Sequence, residues 1–515
     1  MRPSHSEGRL VVSGGHYSAA TSAGGFELLL ELSGPALYVG SVTFSSVRAV
    51  GTIAAFVIGA CAGSTQPGTG DDDPRPDASA DGAGDAPIGT WSAHPPCTDS
   101  GTAIYTTQGL ANGARGSIVK CSLGDDLATV EVQSEMTSEG AEGVTAQTGV
   151  RVVKIAYRTI RSDGTPAVST ATVYLPHTPR ALPAPIVLIG RPTSGIADAC
   201  APSKKPRPEP NLALPFAARG FVTITPDFAG LGNEGIHAYL DNHEAVTQLF
   251  DGARALQALV PGNVVGDPVA AVGYSQGGGV VLSTQALEYA TTGKRTLRAI
   301  AALAPQWPIS LRSFGYEGVL RNPDRFTAAS GLAEGTVTVL RHYGFLVNRL
   351  GETHGGDAFP AAERDSIIGA IESLCTVQLG GSLDVWQPRL RDLVDVAFRS
   401  QVLACIDGTP GCTGTGAAFH QWMTGDFVTA DPAGARVLIV QGLADQVMPA
   451  AGEAACDVAK LRAEGVEPTI CSDSTATHDT VLERRIEDVV AWIEAVVTGE
   501  PAPTCGSQTL PACNR

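Results

Sequence analysis

The residues best suited to chemistry in this chain surround one serine. Gly273-Tyr274-Ser275-Gln276-Gly277 matches G-x-S-x-G, a turn that lifts a nucleophilic hydroxyl above the end of a sheet. In a chain with 60 glycines the pentapeptide alone says little, and its setting carries the weight. The apolar run Val269–Val272 leads into it, and a helical pattern follows to about Tyr289. Gly273 and Gly277 suit so tight a turn because side chains there would collide, and Gly278 and Gly279 extend the small stretch. A serine alcohol is a poor nucleophile at neutral pH, so it needs a base, and the base needs a carboxylate to orient it.

In a strand–turn–helix architecture of this kind the partners come later in the chain, in the order Ser, Asp, His. Asp445 follows the apolar run Arg436–Gln441, and His478 sits between a short strand near 470 and the final helix. Asp473 is nearer to His478 but shares its loop, the wrong topology for an orienting group. His177, His237 and His243 precede the serine, and His342, His354 and His420 fall in an insertion, which leaves His478 as the base. The negative charge that develops on the substrate oxygen needs two backbone N–H donors. One is expected from Gln276 and the other from the loop Arg191-Pro192-Thr193-Ser194-Gly195; Pro192 has no N–H, so Thr193 or Ser194 supplies it.

These residues require a scaffold, and the flanking pattern supplies one. Val150–Ile160 and Ala167–Leu175 read as a hairpin around Arg161–Pro166. Ala184–Gly190, Phe221–Thr225, Val269–Val272, Leu297–Leu303, Arg436–Gln441 and Pro468–Cys471 are short apolar runs. They alternate with helical spacings at Leu212–Arg219, Ala245–Leu259, Glu453–Glu464 and the last helix. Apolar strands separated by helices indicate a mostly parallel sheet covered on both faces. Residues 306–433 interrupt the alternation with helical patterns at Pro360–Leu374 and Leu390–Leu403, and read as a largely helical cap inserted in one α/β domain spanning 96–500.

With those segments in view, the chain resembles the secretory lipase family of α/β-hydrolases, the fungal lipase A type and its bacterial relatives. The resemblance rests on Ser194–Ser203 (SGIADACAPS), Thr225–Gly232 (TPDFAGLG), Gly273–Gly277 and the Asp445 and His478 loops. It implies an α/β-hydrolase fold, a large cap between nucleophile and Asp, and hydrolysis of acyl esters by a lipase or carboxylesterase. Relatives often carry His-Gly where this chain has Arg191-Pro192. Asp227 reads as structural, organising its own glycine turn. Two other readings remain: a serine peptidase of aminopeptidase type on the same fold, and a non-catalytic surface lipoprotein. No metal-ligand spacing, phosphate loop or dinucleotide fingerprint is present, so no cofactor or metal is expected.

Composition bounds the partners. A net charge of −17 argues against nucleic acid and against grip on anionic membranes by surface charge. Eleven cysteines are many for a reducing compartment. Arg48, the uncharged apolar run 49–60 and Ile58-Gly59-Ala60-Cys61 resemble an export signal ending in a lipobox, with Cys61 as the lipidated residue. At roughly 20 residues for a span, the run is too short to cross a bilayer. The signal segment is 47–61, and a start near Val42 or Val47 would leave residues 1–46 as an extension outside the product. Residues 62–95 begin with Gly, Pro, Ser and Asp and read as a flexible tether, and 501–515 as a C-terminal tail. The protein is therefore expected outside the cytoplasm, touching membrane only through its anchor and acting on a small-molecule or lipid ester. The other ten cysteines form an even set; spacing does not fix their pairing. Proximity favours Cys97–Cys121, Cys405–Cys412, Cys456–Cys471 and Cys505–Cys513. Cys200 and Cys375 are left, a link from the oxyanion loop to the cap that the resemblance also implies.

Overall fold

A computed structural model describes residues 11–12, 15–16, 18–22, 25–29, 88–307, 316–324, 333–386, 388–507 and 509–513. The chain divides into two units, Met1–Asp81 and Gly82–Arg515. In the first, Val11–Val12 pairs with Gly15–His16 and Ser18–Ser22 with Gly25–Leu29, both antiparallel. The export signal, Cys61 and the tether up to residue 87 lie outside the described residues.

In the second unit the apolar runs become one nine-stranded sheet. Its strands are β1 (Ile118–Leu127), β2 (Val150–Ile160), β3 (Pro166–Pro176), β4 (Ala184–Gly190) and β5 (Val222–Pro226). They continue with β6 (Val265–Tyr274), β7 (Ala299–Leu303), β8 (Arg436–Gly442) and β9 (Thr469–Asp473). The order across the sheet is β9-β8-β7-β6-β4-β5-β3-β2-β1. β1/β2, β2/β3 and β3/β5 are antiparallel, and the remaining pairs are parallel. The crossing of β4 and β5 places the C-terminal ends of β4 and β6 side by side, where an open α/β sheet forms its crevice.

Continuous apolar strands work here because both faces are covered. Along β4, Ile186 and Leu188 enter one core and Val187 and Ile189 the other, the period-2 alternation of a strand. The first core is completed by α3 (Asn242–Leu259), α4 (Gln276–Thr292) and α12 (Ala454–Ala463). The second takes α1 (Thr129–Ser138), α2 (Pro210–Ala217) and α13 (Val481–Thr498), the last burying the apolar face from Val481 to Val496 expected from its spacing. This makes the α/β-hydrolase fold.

Between β7 and β8 the described residues are helical: α5 (Tyr316–Arg321), α6 (Ala333–Leu350), α7 (Arg364–Ser373), α8 (Thr376–Trp386), α9 (Leu390–Leu393), α10 (Val396–Asp407) and α11 (Gly414–Gly425). The single helix expected at 390–403 is two, because the Asp395 carboxylate caps the N–H groups of Ala397 and Phe398 and starts α10 afresh. These helices bury a core of their own, which also takes in Ile196, Tyr239 and Leu240 from the loops of the sheet domain.

Two expectations are corrected. The tether does not extend to residue 95: the Trp91 indole donates to Pro176 O at 3.1 Å, Gly89 N to Gly262 O at 2.7 Å, and Ala93 is buried. In the C-terminal tail, Ser507 bridges Ser472 on β9. Two disulfides also differ: Cys456 pairs with Cys513 and Cys471 with Cys505, while Cys97–Cys121, Cys200–Cys375 and Cys405–Cys412 form as expected. The reason is the pleat. On β9, Ile470 faces the core shared with α12, whereas Cys471 faces the core on the other side of the sheet, away from the helix carrying Cys456.

Candidate active site

The site begins at the end of β6. Ser275 has φ 55° and ψ −118°, a backbone strained for a residue with a Cβ. It is held by Ser275 N donating to Leu303 O at 2.9 Å and by Gln306 N donating to Ser275 O at 2.9 Å. The glycines make the turn possible. A Cβ on Gly277 would lie on the carbonyls of Gly190 and Arg191, and one on Gly273 would strike the carbonyl of Gly277. The start of α4 therefore presses against the end of β4.

His478 reaches the serine from the loop after β9. Its Nε2 is 3.0 Å from Ser275 Oγ, and its Nδ1 is 2.9 Å from Asp445 Oδ2. Because a carboxylate only accepts, Nδ1 carries the proton and Nε2 is free to accept from the serine. Asp445 is fixed in turn: its Oδ1 accepts from Val447 N at 2.8 Å and Met448 N at 2.7 Å, and its Oδ2 from Gln441 Nε2 at 3.3 Å. The two loops are tied by Leu443 N to Asp473 O at 2.8 Å and Ala444 N to Ala476 O at 3.1 Å. Tyr274 donates to His478 O at 2.8 Å and lays its ring 5.2 Å from the imidazole. Ser275, Asp445 and His478 are all buried. The rival Asp473 is engaged elsewhere. Burial pushes its carboxyl up, but hydrogen bonds from Thr475 and pairing with Arg484 and Arg485 outweigh this and hold it well below the usual range.

The oxyanion candidates flank this relay. Gln276 is the first residue of α4, where backbone N–H groups lack partners within the helix. Thr193 and Ser194 lie just beyond β4. Thr193 Oγ1 is 2.9 Å from the Tyr239 hydroxyl, which donates to Gln306 Oε1 at 3.3 Å; Ser194 O accepts from Thr376 N at 3.1 Å. Cys200–Cys375 fastens the same region to the start of α8.

Sequence reasoning missed a buried set behind these loops. Arg191 is completely buried and donates to Asp227 O at 2.7 Å, Pro192 O at 3.0 Å and Ser194 Oγ at 3.1 Å; burial pushes its pKa down to about 10. His237 stacks on Phe228 at 5.7 Å, with its Nε2 3.2 Å from Gln276 Nε2 and 3.5 Å from Arg191 Nη2. The signal available in the sequence was the position of Arg191, next to the expected oxyanion loop. Asp227 is also corrected. Its carboxylate accepts from Thr170 Oγ1 at 2.6 Å and Ser203 N at 2.9 Å, so it ties β3 to the Cys-Ala-Pro-Ser loop. The glycine turn is held instead by Asn233 and Asp198, which accept from Gly230 N and Gly232 N.

Comparison with solved structures gives the same fold. The rice cell wall degrading esterase LipA from Xanthomonas oryzae aligns at 19% identity and TM-score 0.55, covering 75% of this chain and 97% of that one. Lipase A from Candida antarctica aligns at 17% identity and TM-score 0.57, covering 79% and 88%. At such identity the likeness is one of fold. No protein-family model matches the sequence, and no curated protein matches it.

Proposed function

We propose that this chain is a serine hydrolase of carboxylic esters. One observation carries the reading: on a strained turn, Ser275 Oγ, His478 Nε2–Nδ1 and Asp445 Oδ2 form a buried relay with links of 3.0 and 2.9 Å. Ser275 attacks the ester carbonyl while His478 Nε2 takes its proton. Asp445 keeps the imidazole in the right tautomer and stabilises its charged form. The N–H of Gln276 and that of Thr193 or Ser194 stabilise the oxyanion, and His478 returns the proton to the leaving alcohol. Water, activated by the same histidine, then releases the acid from the acyl-enzyme.

The helices between β7 and β8 are read as the cap, with the acyl chain bound beneath them. Support comes from the core they share with Ile196, Tyr239 and Leu240 and from the Cys200–Cys375 link. The solved structures of similar fold are an esterase and a lipase, which favours esters over amides. Five disulfides favour an exported protein, and Cys61 is read as its lipid anchor. The test is a chain-length series of p-nitrophenyl esters beside aminoacyl-anilides. Ester turnover that vanishes in Ser275→Ala is expected; ester turnover unchanged in that variant sinks the mechanism, and anilide preference makes the chain a peptidase. Intact-mass analysis of the membrane fraction finds diacylglyceryl on Cys61 if the anchor reading is right and a bare Cys61 if it is not.

A further inference from the structure

The two backbone segments expected to hold the oxyanion come from different parts of the chain and need a common brace. One is the turn at Gln276. The other is the loop after β4, whose first residue is Arg191. Pro192 contributes no N–H, so this loop has one fewer backbone donor with which to fix itself. Arg191 supplies fixation from its side chain. It bonds forward to Pro192 O and Ser194 Oγ and back to Asp227 O at the end of β5, spanning the crevice floor. It lies against Phe228, its guanidinium 5.3 Å from the ring centre.

His237 stands between Arg191 and Gln276. A guanidinium has only donors, so the 3.5 Å approach of Arg191 Nη2 makes His237 Nε2 an acceptor. The Gln276 amide N–H₂ then donates to the same nitrogen at 3.2 Å. That nitrogen must be unprotonated to accept from both. Burial, with Arg191 and Arg161 nearby, holds the imidazole well below its ordinary range and keeps it neutral. The loop carrying His237 is itself clamped by α6: Gly344 approaches so closely that a Cβ there would lie 3.0 Å from His237 O and 3.2 Å from Tyr239 N. Tyr239 in turn holds Thr193.

We propose that Arg191 and His237 are positioning residues that lock the Gln276 turn and the 192–194 loop into one preformed oxyanion hole. Neither donates to the substrate. They act by fixing the angle at which the two backbone N–H groups meet, and the proposal rests on the ester-hydrolase reading above. Their loss affects the transition state, where the oxygen is charged, far more than substrate binding.

The test compares His237→Leu, His237→Gln, Gln276→Leu and the His237→Leu/Gln276→Leu double variant in the full chain. Functional sites are counted by burst titration with an alkyl p-nitrophenyl phosphonate, which phosphonylates Ser275 Oγ and releases p-nitrophenol in equal amount. Per titrated site, His237→Leu is expected to lower kcat on p-nitrophenyl esters by about 10- to 100-fold with KM within about threefold. His237→Gln, which returns an acceptor near the Nε2 position, recovers most of that loss. The double variant falls no further than the worse single one, because each change breaks the same brace. Full kcat per site in His237→Leu, no recovery with Gln, or multiplying losses in the double variant each overturns the proposal. A wild-type chain that neither turns over ester nor takes the phosphonate at Ser275 overturns the hydrolase reading and this inference with it. Normal wild-type turnover with unaffected variants overturns the inference alone.

Discussion

Replacing Asp445 by asparagine changes one atom and should nearly abolish turnover. The asparagine has two ways to sit. Turning its NH₂ toward Val447 N and Met448 N sets donors against donors and forfeits hydrogen bonds of 2.8 and 2.7 Å. Turning its oxygen that way keeps both and forfeits only the longer 3.3 Å bond from Gln441. At about 1–3 kcal/mol for each buried group left unsatisfied, the second orientation wins. It points the NH₂ at His478 Nδ1, which must now accept, so the imidazole proton moves to Nε2 and faces Ser275 Oγ. A base that already holds its proton cannot take one. The cost of this wrong tautomer in the handed-down Ser-His-Asp arrangement is about 10⁴-fold in kcat, or about 5 kcal/mol of barrier. The assay is p-nitrophenyl ester hydrolysis at neutral pH with circular dichroism confirming the fold. A kcat within tenfold of wild type would show that Asp445 does not set the tautomer.

Gly277→Ala should cost about 3 kcal/mol or more because its Cβ meets backbone on β4. Gly369→Ala, in α7 with open space around it, should be neutral or gain up to about 1 kcal/mol; thermal melts of both check the contrast. Burial raises the Glu244 carboxyl to about 7, against the pull of Arg161 and with the push of Asp241. The folded state therefore holds this proton more tightly than the unfolded one, and the group's contribution to stability is lost as pH rises from about 4.5 to about 7. Glu244→Gln should flatten the difference in melting temperature between pH 5 and pH 8, and an unchanged difference refutes the assignment. Cys375→Ser opens a loop with a sequence separation of 175, for which chain entropy gives up to about 5 kcal/mol; denaturant titration measures it. Non-reducing peptide mapping should recover Cys456 with Cys513 and Cys471 with Cys505.

What could be read from the sequence follows from how much of each signal is local. Strands such as Ala184–Gly190 and Arg436–Gly442 are uninterrupted apolar runs, and G-x-S-x-G marks its own turn, so the sheet and Ser275 were legible. β1 was not: Lys120, Asp125 and Asp126 break its alternation because it lies at the edge of the sheet, where one side needs no burial. α6 is hidden by Arg341, His342 and Gly344 in its middle: the first two are buried polar residues, His342 among Tyr316, Phe398 and Phe419, and Gly344 lies against the loop at 237–239. His237 precedes the serine, and the order rule concerns the catalytic base alone, so it is silent on a residue that contacts Gln276. The pairing of Cys456 and Cys471 was decided by which face of β9 each side chain takes, which spacing in the chain does not encode.

The bridge between Ser472 and Ser507 bears on whether the edge of the sheet can recruit another strand. An outermost strand offers unpaired backbone groups on which another chain can add itself. At β9, Ser472 N and Ser507 N exchange hydrogen bonds with each other's carbonyls at 2.7 and 3.2 Å, so the middle of that edge is already paired at Ser472. Cys505 and Cys513 rivet the covering strip on opposite sides of it. The far edge is guarded in the same way at Cys121 of β1, whose carbonyl accepts from Asp99 N at 3.0 Å and whose N–H donates to Asp99 Oδ2 at 2.9 Å, beside the Cys97–Cys121 disulfide, and register shifts bend the strand further along. Mild reduction should thus release a sheet edge before it unfolds the core, and self-association, seen by light scattering, should precede any loss of helix signal.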